Sequence, residues 1–199
     1  VSWAFTFVGY FSLVALLGFN MYGTRECAKL RDDREKLSVV VQELLVILIC
    51  STTVVYVAFV VLVFLLPRTN DELPLMFIVG TSIWLSACGA EWFYRSIEQY
   101  EYITVRNILF KIASIVLLFV FVRQTNDYLA YAAVTVLGTT GSNVLNILRL
   151  RSFVTFSRKY EMNIRRHFKP MFAFSISSIT SGMYGQIDML LLGFFSSNY

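Results

Sequence analysis

Asp188 is the residue whose place in the sequence most needs a chemical explanation. It is the only charged side chain between Lys169 and Tyr199, in a run of apolar and small residues. An ionised carboxylate at the centre of a membrane span costs on the order of 2.5–3.5 kcal/mol, so such groups are normally paired or in contact with water. Asp188 is therefore expected to line a hydrated cavity or to form an ion pair, with a position at the outer membrane interface as the alternative.

Polar and small residues recur at helical spacing in three segments, and each set would form one face of a helix. The first set comprises Thr104, Asn107, Lys111 and Ser114. The second set comprises Tyr128, Tyr131, Thr135, Thr139, Ser142 and Asn146. The third set comprises Ser177, Ser178, Ser181, Tyr184, Gly185 and Asp188. These faces are expected either to pack closely against other helices or to line a shared hydrated cavity.

The segments that carry these faces belong to a chain with the composition of a membrane protein. Of its 199 residues, 57% are hydrophobic and only 15% are charged, more apolar surface than a soluble domain of this size can bury. Six apolar stretches approach the roughly 20 residues that a helix needs to cross a bilayer. They cover residues 1–22, 37–66, 73–94, 104–122, 128–148 and 170–195. The sequence therefore predicts an all-α polytopic membrane protein.

The basic residues alternate between the two sides of these spans. The first and fifth connections hold five and seven Lys or Arg residues and the third region, Arg95 to Lys111, holds three, whereas the second and fourth connections hold one each. Cytoplasmic loops are enriched in Lys and Arg, so residues 23–36, 95–103 and 149–169 are expected in the cytoplasm. The apolar runs at both ends of the sequence further suggest a fragment that begins within one membrane span and stops just after another apolar run.

The remaining ionisable residues of the spans have two interpretations each. Lys111 could line the cavity or extend to the inner headgroups. Glu43 and Glu91 are expected at the cytoplasmic interface, with Trp92 and Tyr94 in an aromatic belt at the same depth. The residues predicted to line a substrate or ion pathway are Asp188, Lys111, Ser181, Tyr184, Asn107, Thr135 and Asn146.

Other kinds of site have little support in the sequence. Cys27, Cys50 and Cys88 lack the spacings typical of disulfide frameworks or zinc sites, so no metal or cofactor is expected. His167, the only histidine, is expected to be an ordinary residue of a basic loop, with no nucleophile that it would activate. The charged residues "RDDR" at 31–34 are expected to be a solvated run rather than an acidic catalytic pair. No nucleic-acid-binding pattern is present.

A series of motifs resembles the Wzx-type polysaccharide flippases. "YGTRECAKLRDDREKLS" is similar to the first cytoplasmic loop of that family, and "EWFYRSIEQYEYITVRNILFKI" to the motif that joins its fourth and fifth helices. "NDYLAYA" and "NVLN" resemble its sixth helix, and "RRHFKPMFAFSISSITSGMYGQIDMLLLG" the start of its seventh. In the second motif Ser96 replaces the usual glycine. The matching positions include Trp92, Phe93, Glu98, Tyr100, Arg106 and Lys111.

The resemblance implies a fold, a division of the chain and an activity. The family belongs to the multidrug/oligosaccharidyl-lipid/polysaccharide exporter superfamily, whose members have 12–14 helices in two bundles. Residues 1–148 would form most of the N-terminal bundle, 149–169 a basic cytoplasmic linker, and 170–199 the first helix of the C-terminal bundle. The implied activity is transfer of undecaprenyl-diphosphate-linked sugar repeat units across the bacterial inner membrane by alternating access, with H⁺ or Na⁺ as a coupling ion. Such a protein is a transporter, not an enzyme.

Three further functions remain open from the sequence. A multidrug/cation antiporter of the same superfamily is the nearest alternative. A membrane O-antigen polymerase or ligase is less favoured, because the two outer connections are only six and five residues long and leave no room for a catalytic loop. A structural or receptor-like membrane protein is the least favoured.

Overall fold

A computed structural model describes residues 1–16, 18–66, 69, 72–124, 127–156 and 162–177. Its regular structure over these residues is entirely helical. The helices are α1 (Ser2–Ala15), α2 (Phe19–Lys29), α3 (Arg34–Leu65), α4 (Leu73–Cys88), α5 (Glu91–Ser96), α6 (Tyr100–Phe121), α7 (Tyr128–Val136) and α8 (Asn143–Phe153). A π-helical turn, Leu137–Gly141, joins α7 to α8. A further helix, here called α9, covers residues 165–177.

Among the described residues, four helical stretches are long and apolar enough to cross a membrane. They are Ser2–Lys29, Arg34–Leu65, Leu73–Ser96 and Tyr100–Phe121. These correspond to the first four predicted spans, and the prediction of an all-α polytopic membrane protein is confirmed. The fifth predicted span, 128–148, is divided by the π-helical turn. The sixth, 170–195, extends beyond the described residues.

α3 begins at a capped N-terminus in the charged segment before it. Asp33 is the N-cap, and its Oδ1 accepts a hydrogen bond from the Lys36 backbone N–H at 3.1 Å, one of the donors that a helix start leaves free. The Lys36 side chain and backbone N–H hold the pKa of the Asp33 carboxyl below its usual value. The run at 31–34 is accordingly a solvated helix start, as predicted, in which Arg31, Asp32 and Arg34 are exposed.

Two clusters of buried apolar side chains hold the helices together. One surrounds α5, where Trp92, Phe93 and Tyr94 are at most 1% exposed and pack with residues of α2, α3 and α8. The other centres on Phe59 of α3 and Met76 of α4. The predicted aromatic belt at Trp92 and Tyr94 is therefore wrong: both rings lie inside the protein, because α5 turns inward at the end of α4.

α6 is attached along one narrow face. Its buried residues are Ile103, Arg106 and Ser114, which follow one another at helical spacing. The opposite side presents exposed apolar residues, as expected for a helix in contact with lipid. They include Val105, Ile108, Leu109, Ile112, Val116 and Phe119. Arg106 is thus placed on the face that meets the rest of the protein.

Candidate functional site

The first of three interruptions in the helices lies between α1 and α2 at Gly18. This residue has φ of 79°, a left-handed conformation that glycine adopts without strain. A Cβ at this position would lie 2.6 Å from the Ser175 Oγ and 2.8 Å from the Met171 carbonyl oxygen of α9. Gly18 therefore both bends the first span and allows α9 to approach it.

The second interruption separates α4 from α5 at Gly89 and Ala90. Ala90 has φ of 40°, which is uncommon for a residue with a side chain. The Gly89 carbonyl, which the helix leaves without a partner, accepts a hydrogen bond from the side-chain Nδ2 of Asn146. Tyr94 in turn donates its hydroxyl hydrogen to the Asn146 carbonyl at 2.6 Å. A buried amide on α8 thus fixes the interruption between α4 and α5.

The third interruption is the π-helical turn between α7 and α8. Such turns are rare and often occur at functional sites. A Cβ added to Gly138 in this turn would lie 2.6 Å from the Ser114 Cβ of α6. The missing side chain therefore lets α6 contact the turn closely, as small residues do in membrane helix packing.

All three interruptions contribute to one polar pocket of about 220 Å³, here called the interrupted-helix pocket. Its lining residues are Leu16, Asn20, Ser86, Ala90, Glu91, Trp92, Arg95, Thr139, Thr140 and Asn143. The first interruption supplies Leu16 and Asn20, the second Ala90 and Glu91, and the third Thr139 and Thr140. The pocket wall combines a carboxylate, a guanidinium, amides and hydroxyl groups, which together can bind a polar, oxygen-rich solute.

Glu91 is shared between two arginines at this pocket. Its Oε2 lies 3.0 Å from Arg95 Nη2, and its Oε1 lies 3.0 Å from Arg106 Nη2. The Arg106 side chain is only 2% exposed, whereas that of Arg95 is 45% exposed. Two arginines and one carboxylate leave one net positive charge. The network therefore favours a negatively charged or oxygen-rich ligand over a cation.

Asn107 connects this ion pair to the fifth predicted span. Its Oδ1 accepts hydrogen bonds from Arg106 Nη2 at 2.9 Å and from Ser142 Oγ at 3.1 Å. The polar faces predicted on the fourth and fifth spans thus meet at Asn107 and Ser142. This contact joins α6 to the start of α8 beside the interrupted-helix pocket.

Several buried donors near the pocket have no hydrogen-bond partner among the described residues. They are Nε and Nη1 of Arg106 and the indole Nε1 of Trp92, which itself lines the pocket. Buried polar groups are normally hydrogen-bonded, since leaving them unpaired costs free energy. These donors therefore suit a site that receives acceptor groups from a solute or from water.

The predicted pathway residues have different positions in the structure. Asn107 and Asn146 lie in the hydrogen-bond networks just described. Thr135 donates its hydroxyl hydrogen to the Tyr131 carbonyl at 2.7 Å and does not line the pocket. Lys111 is exposed, one helical turn beyond Asn107, and is not among the lining residues. Ser181, Tyr184 and Asp188 lie outside the described residues.

The family-motif residues divide between the pocket and the surface. Trp92 and Arg106 belong to the pocket and its ion-pair network. Glu98 is exposed, and its carboxylate lies 2.7 Å from Arg31 Nη1. Tyr100 is 56% exposed at the first turn of α6. Of these motif residues, Trp92 and Arg106 lie inside the protein, and Glu98 and Tyr100 lie on its surface.

A second buried polar cluster was not predicted from the sequence. Glu43 is completely buried and binds Arg166 and His167, so its expected interfacial position is wrong. His167 is 2% exposed in α9 and is not an ordinary loop residue. Glu91, also expected at the interface, instead lines the pocket. Two signals were available in the sequence: an acidic residue within an apolar span, Glu43, and a single histidine, His167. Their spacing did not indicate a contact, because they are 124 positions apart.

Comparison with known proteins gives one family and one curated relative. A family model described as "Polysaccharide biosynthesis protein" matches residues 1–199. A Shigella dysenteriae protein named "Putative O-antigen transporter" is 24% identical over 192 residues, which is 94% of this chain and 48% of the relative. The chain thus spans about half the length of that relative. No solved structure matches it. Because the family model covers every residue, the chain belongs to the polysaccharide biosynthesis protein family.

Proposed function

We propose that this chain is part of a transporter that moves lipid-linked oligosaccharide repeat units across the bacterial inner membrane. The substrate would be a sugar repeat unit on undecaprenyl diphosphate, moved from the inner to the outer leaflet by alternating access. The name of the Shigella dysenteriae relative, an O-antigen transporter, and the polysaccharide family support this proposal. The chain acts as a transporter and not as an enzyme.

The observation that carries the proposal is the interrupted-helix pocket. Transporter binding sites are typically formed where discontinuous helices meet, since freed backbone groups and polar side chains are available there. A sugar diphosphate offers many acceptor oxygens and negative charge. The pocket supplies Arg95, hydroxyl groups on Thr139 and Thr140, and amide groups on Asn20 and Asn143.

The proposed cycle also involves residues that do not line the pocket. Lys111 would attract the diphosphate as the substrate enters, and Asp188 would titrate or pair during the cycle. Residues 23–36, 95–103 and 149–169 would lie in the cytoplasm, since they hold most of the basic residues. Residues 1–148 would belong to one helix bundle and 170–199 to a second, with the substrate path between them.

A multidrug/cation antiporter is the competing proposal. A cation exporter needs a carboxylate that is free to bind its substrate. Glu91 is the carboxylate of the pocket, and both of its oxygens are already paired with arginines. The electrostatics of the pocket therefore favour the polysaccharide substrate.

The experiment is complementation of a bacterium that lacks its own repeat-unit flippase, using the full-length gene. Surface glycan and lipid-linked intermediates accumulated inside the cell are both measured. We expect the wild type to restore the glycan, and Arg95→Ala and Asn143→Ala to reduce it at equal expression. Lys111→Ala and Asp188→Asn test the two further roles, and the exposed Arg123→Ala is the matched control.

The readouts separate the proposed function from its competitor. Failure of the wild type to restore any surface glycan would remove the flippase proposal. Increased drug resistance without glycan export would favour the antiporter. If Arg95→Ala and Asn143→Ala equal Arg123→Ala in glycan export, the pocket does not bind the substrate.

A further inference from the structure

The cluster around Glu43 is separate from the interrupted-helix pocket and none of the functions above uses it. Glu43 lies in α3 with its side chain completely buried. Its Oε1 accepts a hydrogen bond from the Asn163 backbone N–H at 2.5 Å. Its Oε2 accepts from Arg166 Nε at 3.0 Å, from Arg166 Nη2 and from His167 Nε2 at 2.7 Å. Every one of these donors belongs to the segment 162–177.

The position of the histidine proton is assigned from the hydrogen bonds. An ionised carboxylate can only accept, so we assign the proton shared with Glu43 to His167 Nε2, from which Arg166 Nε also lies 3.3 Å. The other ring nitrogen, Nδ1, is 2.7 Å from the hydroxyl oxygen of Tyr22. With a neutral imidazole, Tyr22 donates its hydroxyl hydrogen to Nδ1. A continuous hydrogen-bonded chain therefore joins α3, α9 and α2.

The side chains that can neutralise the Glu43 carboxylate, Arg166 and His167, both belong to the segment 162–177. The titratable groups of α2 near Tyr22 are Glu26 and Cys27, and neither is a cation. Arg25, also on α2, lies with its guanidinium 5.5 Å from the Phe174 ring. If the segment 162–177 moved away, Glu43 would lose every one of these donors, Arg166 and His167 included. A carboxylate that loses the hydrogen bonds and the cation stabilising its ionised form binds a proton more readily.

We infer that Glu43 is a proton-binding site and that proton binding there excludes docking of the segment 162–177 on α2 and α3. In the docked state Glu43 is ionised and bound by Arg166 and His167. In the undocked state it carries one proton taken from water. Its role in transport rests on the proposed function, in which it makes H⁺ the coupling ion.

A variant without the imidazole isolates the effect of Glu43. His167→Gln keeps a donor for Glu43 and an acceptor for Tyr22 and has no ionisable group.

The test is a distance measurement on the full-length protein in lipid nanodiscs. The native cysteines are replaced, and spin labels are attached at Ala28→Cys of α2 and Phe168→Cys of α9, both exposed positions. In the His167→Gln background, lowering the pH from about 8 to about 3.5, below the ordinary pKa of a glutamic acid, should populate a second, longer distance. The ratio of the two populations should change by up to about tenfold per pH unit, the limit for one proton.

The controls use the same helix and the same type of substitution. Adding Glu43→Gln should abolish the pH dependence, whereas adding Glu35→Gln, an exposed residue of α3, should leave it intact. A distance distribution in His167→Gln that is the same at both ends of the pH range overturns the inference. So does a pH dependence that survives Glu43→Gln.

A second variant covers the case in which Glu43→Gln does not accumulate. Glu43→Asp retains the carboxyl group but shortens its reach to Arg166 and His167, so undocking should begin at higher pH. An unmoved titration contradicts the inference. The distances require no transport, so a pH-dependent distance in a protein that fails complementation would refute the proposed function and leave the proton site standing.

Discussion

Arg106 Nη2 lies 3.0 Å from Glu91 Oε1 and joins two helices at the point where the chain turns back into the protein. The same carboxylate holds Arg95 through its other oxygen. The two arginines differ chiefly in exposure, 2% against 45% of the side chain. Substituting each arginine in turn therefore compares how much a buried and an exposed partner of the same carboxylate contribute to stability.

We expect Arg106→Ala to lower the free energy of unfolding by about 1.5–3 kcal/mol, because it removes the charge-assisted hydrogen bond of a buried guanidinium to Glu91. Arg95→Ala should lower it by less than about 1 kcal/mol, since solvent screens that pair. The measurement is unfolding of the detergent-solubilised protein by denaturant. Equal losses for the two variants would contradict the assignment of Arg106 as the buried partner.

Tyr94→Phe should lower the free energy of unfolding by about 0.5–1.5 kcal/mol, the net contribution of one hydrogen bond. It removes only the hydroxyl that donates to the Asn146 carbonyl. Tyr100→Phe makes the same change at a residue that is 56% exposed and should be close to neutral. Thermal unfolding of the two variants side by side measures the difference, and a neutral Tyr94→Phe would show that the bond does not form.

Gly138→Ala should lower the free energy of unfolding by about 1–3 kcal/mol, because the new methyl group would overlap Ser114 of α6. Gly9→Ala in α1 is the matched control, since a Cβ there meets no atom within 4 Å. That variant should be neutral or slightly stabilising, as alanine favours a helix over glycine. A stabilising Gly138→Ala would show that α6 does not approach the π-helical turn so closely.

The predicted topology can be tested by labelling single cysteines with a membrane-impermeant maleimide. Cys27 is completely buried and cannot report a side of the membrane. Asp32→Cys and Gln124→Cys replace exposed residues in two different connections. In intact cells of a cysteine-free variant, we expect labelling at position 124 and not at position 32. The reverse pattern would invert the orientation deduced from the basic residues.

The helical spans were largely predictable because each depends on the composition of one continuous segment. Runs such as 37–66 have the length and hydropathy of a membrane helix regardless of what they contact. The helical spacing of Asn107 and Asn146 likewise indicated residues that face other helices. Local pattern was sufficient in these cases because the signal and the structure occupy the same stretch of sequence.

The interruptions and the Glu43 cluster depend on contacts between distant segments, which spacing does not record. Ala90 has a positive φ, which cannot be predicted from its residue type. Glu43 and Glu91 looked equivalent in the sequence, as acids near the ends of apolar runs. One binds α9 and the other lines the pocket, and only the packing of the helices distinguishes them.

The bond from the Asn146 side chain to the Gly89 carbonyl also restricts how this part of the protein can move. Straightening α4 into α5 would return that carbonyl to its own helix and would leave the buried Asn146 amide without an acceptor. The bend near residue 89 and α8 must therefore shift together as one rigid unit. At Gly18 no side-chain bond to α8 of this kind is present among the described residues, so we expect that interruption to move independently of the bend near residue 89.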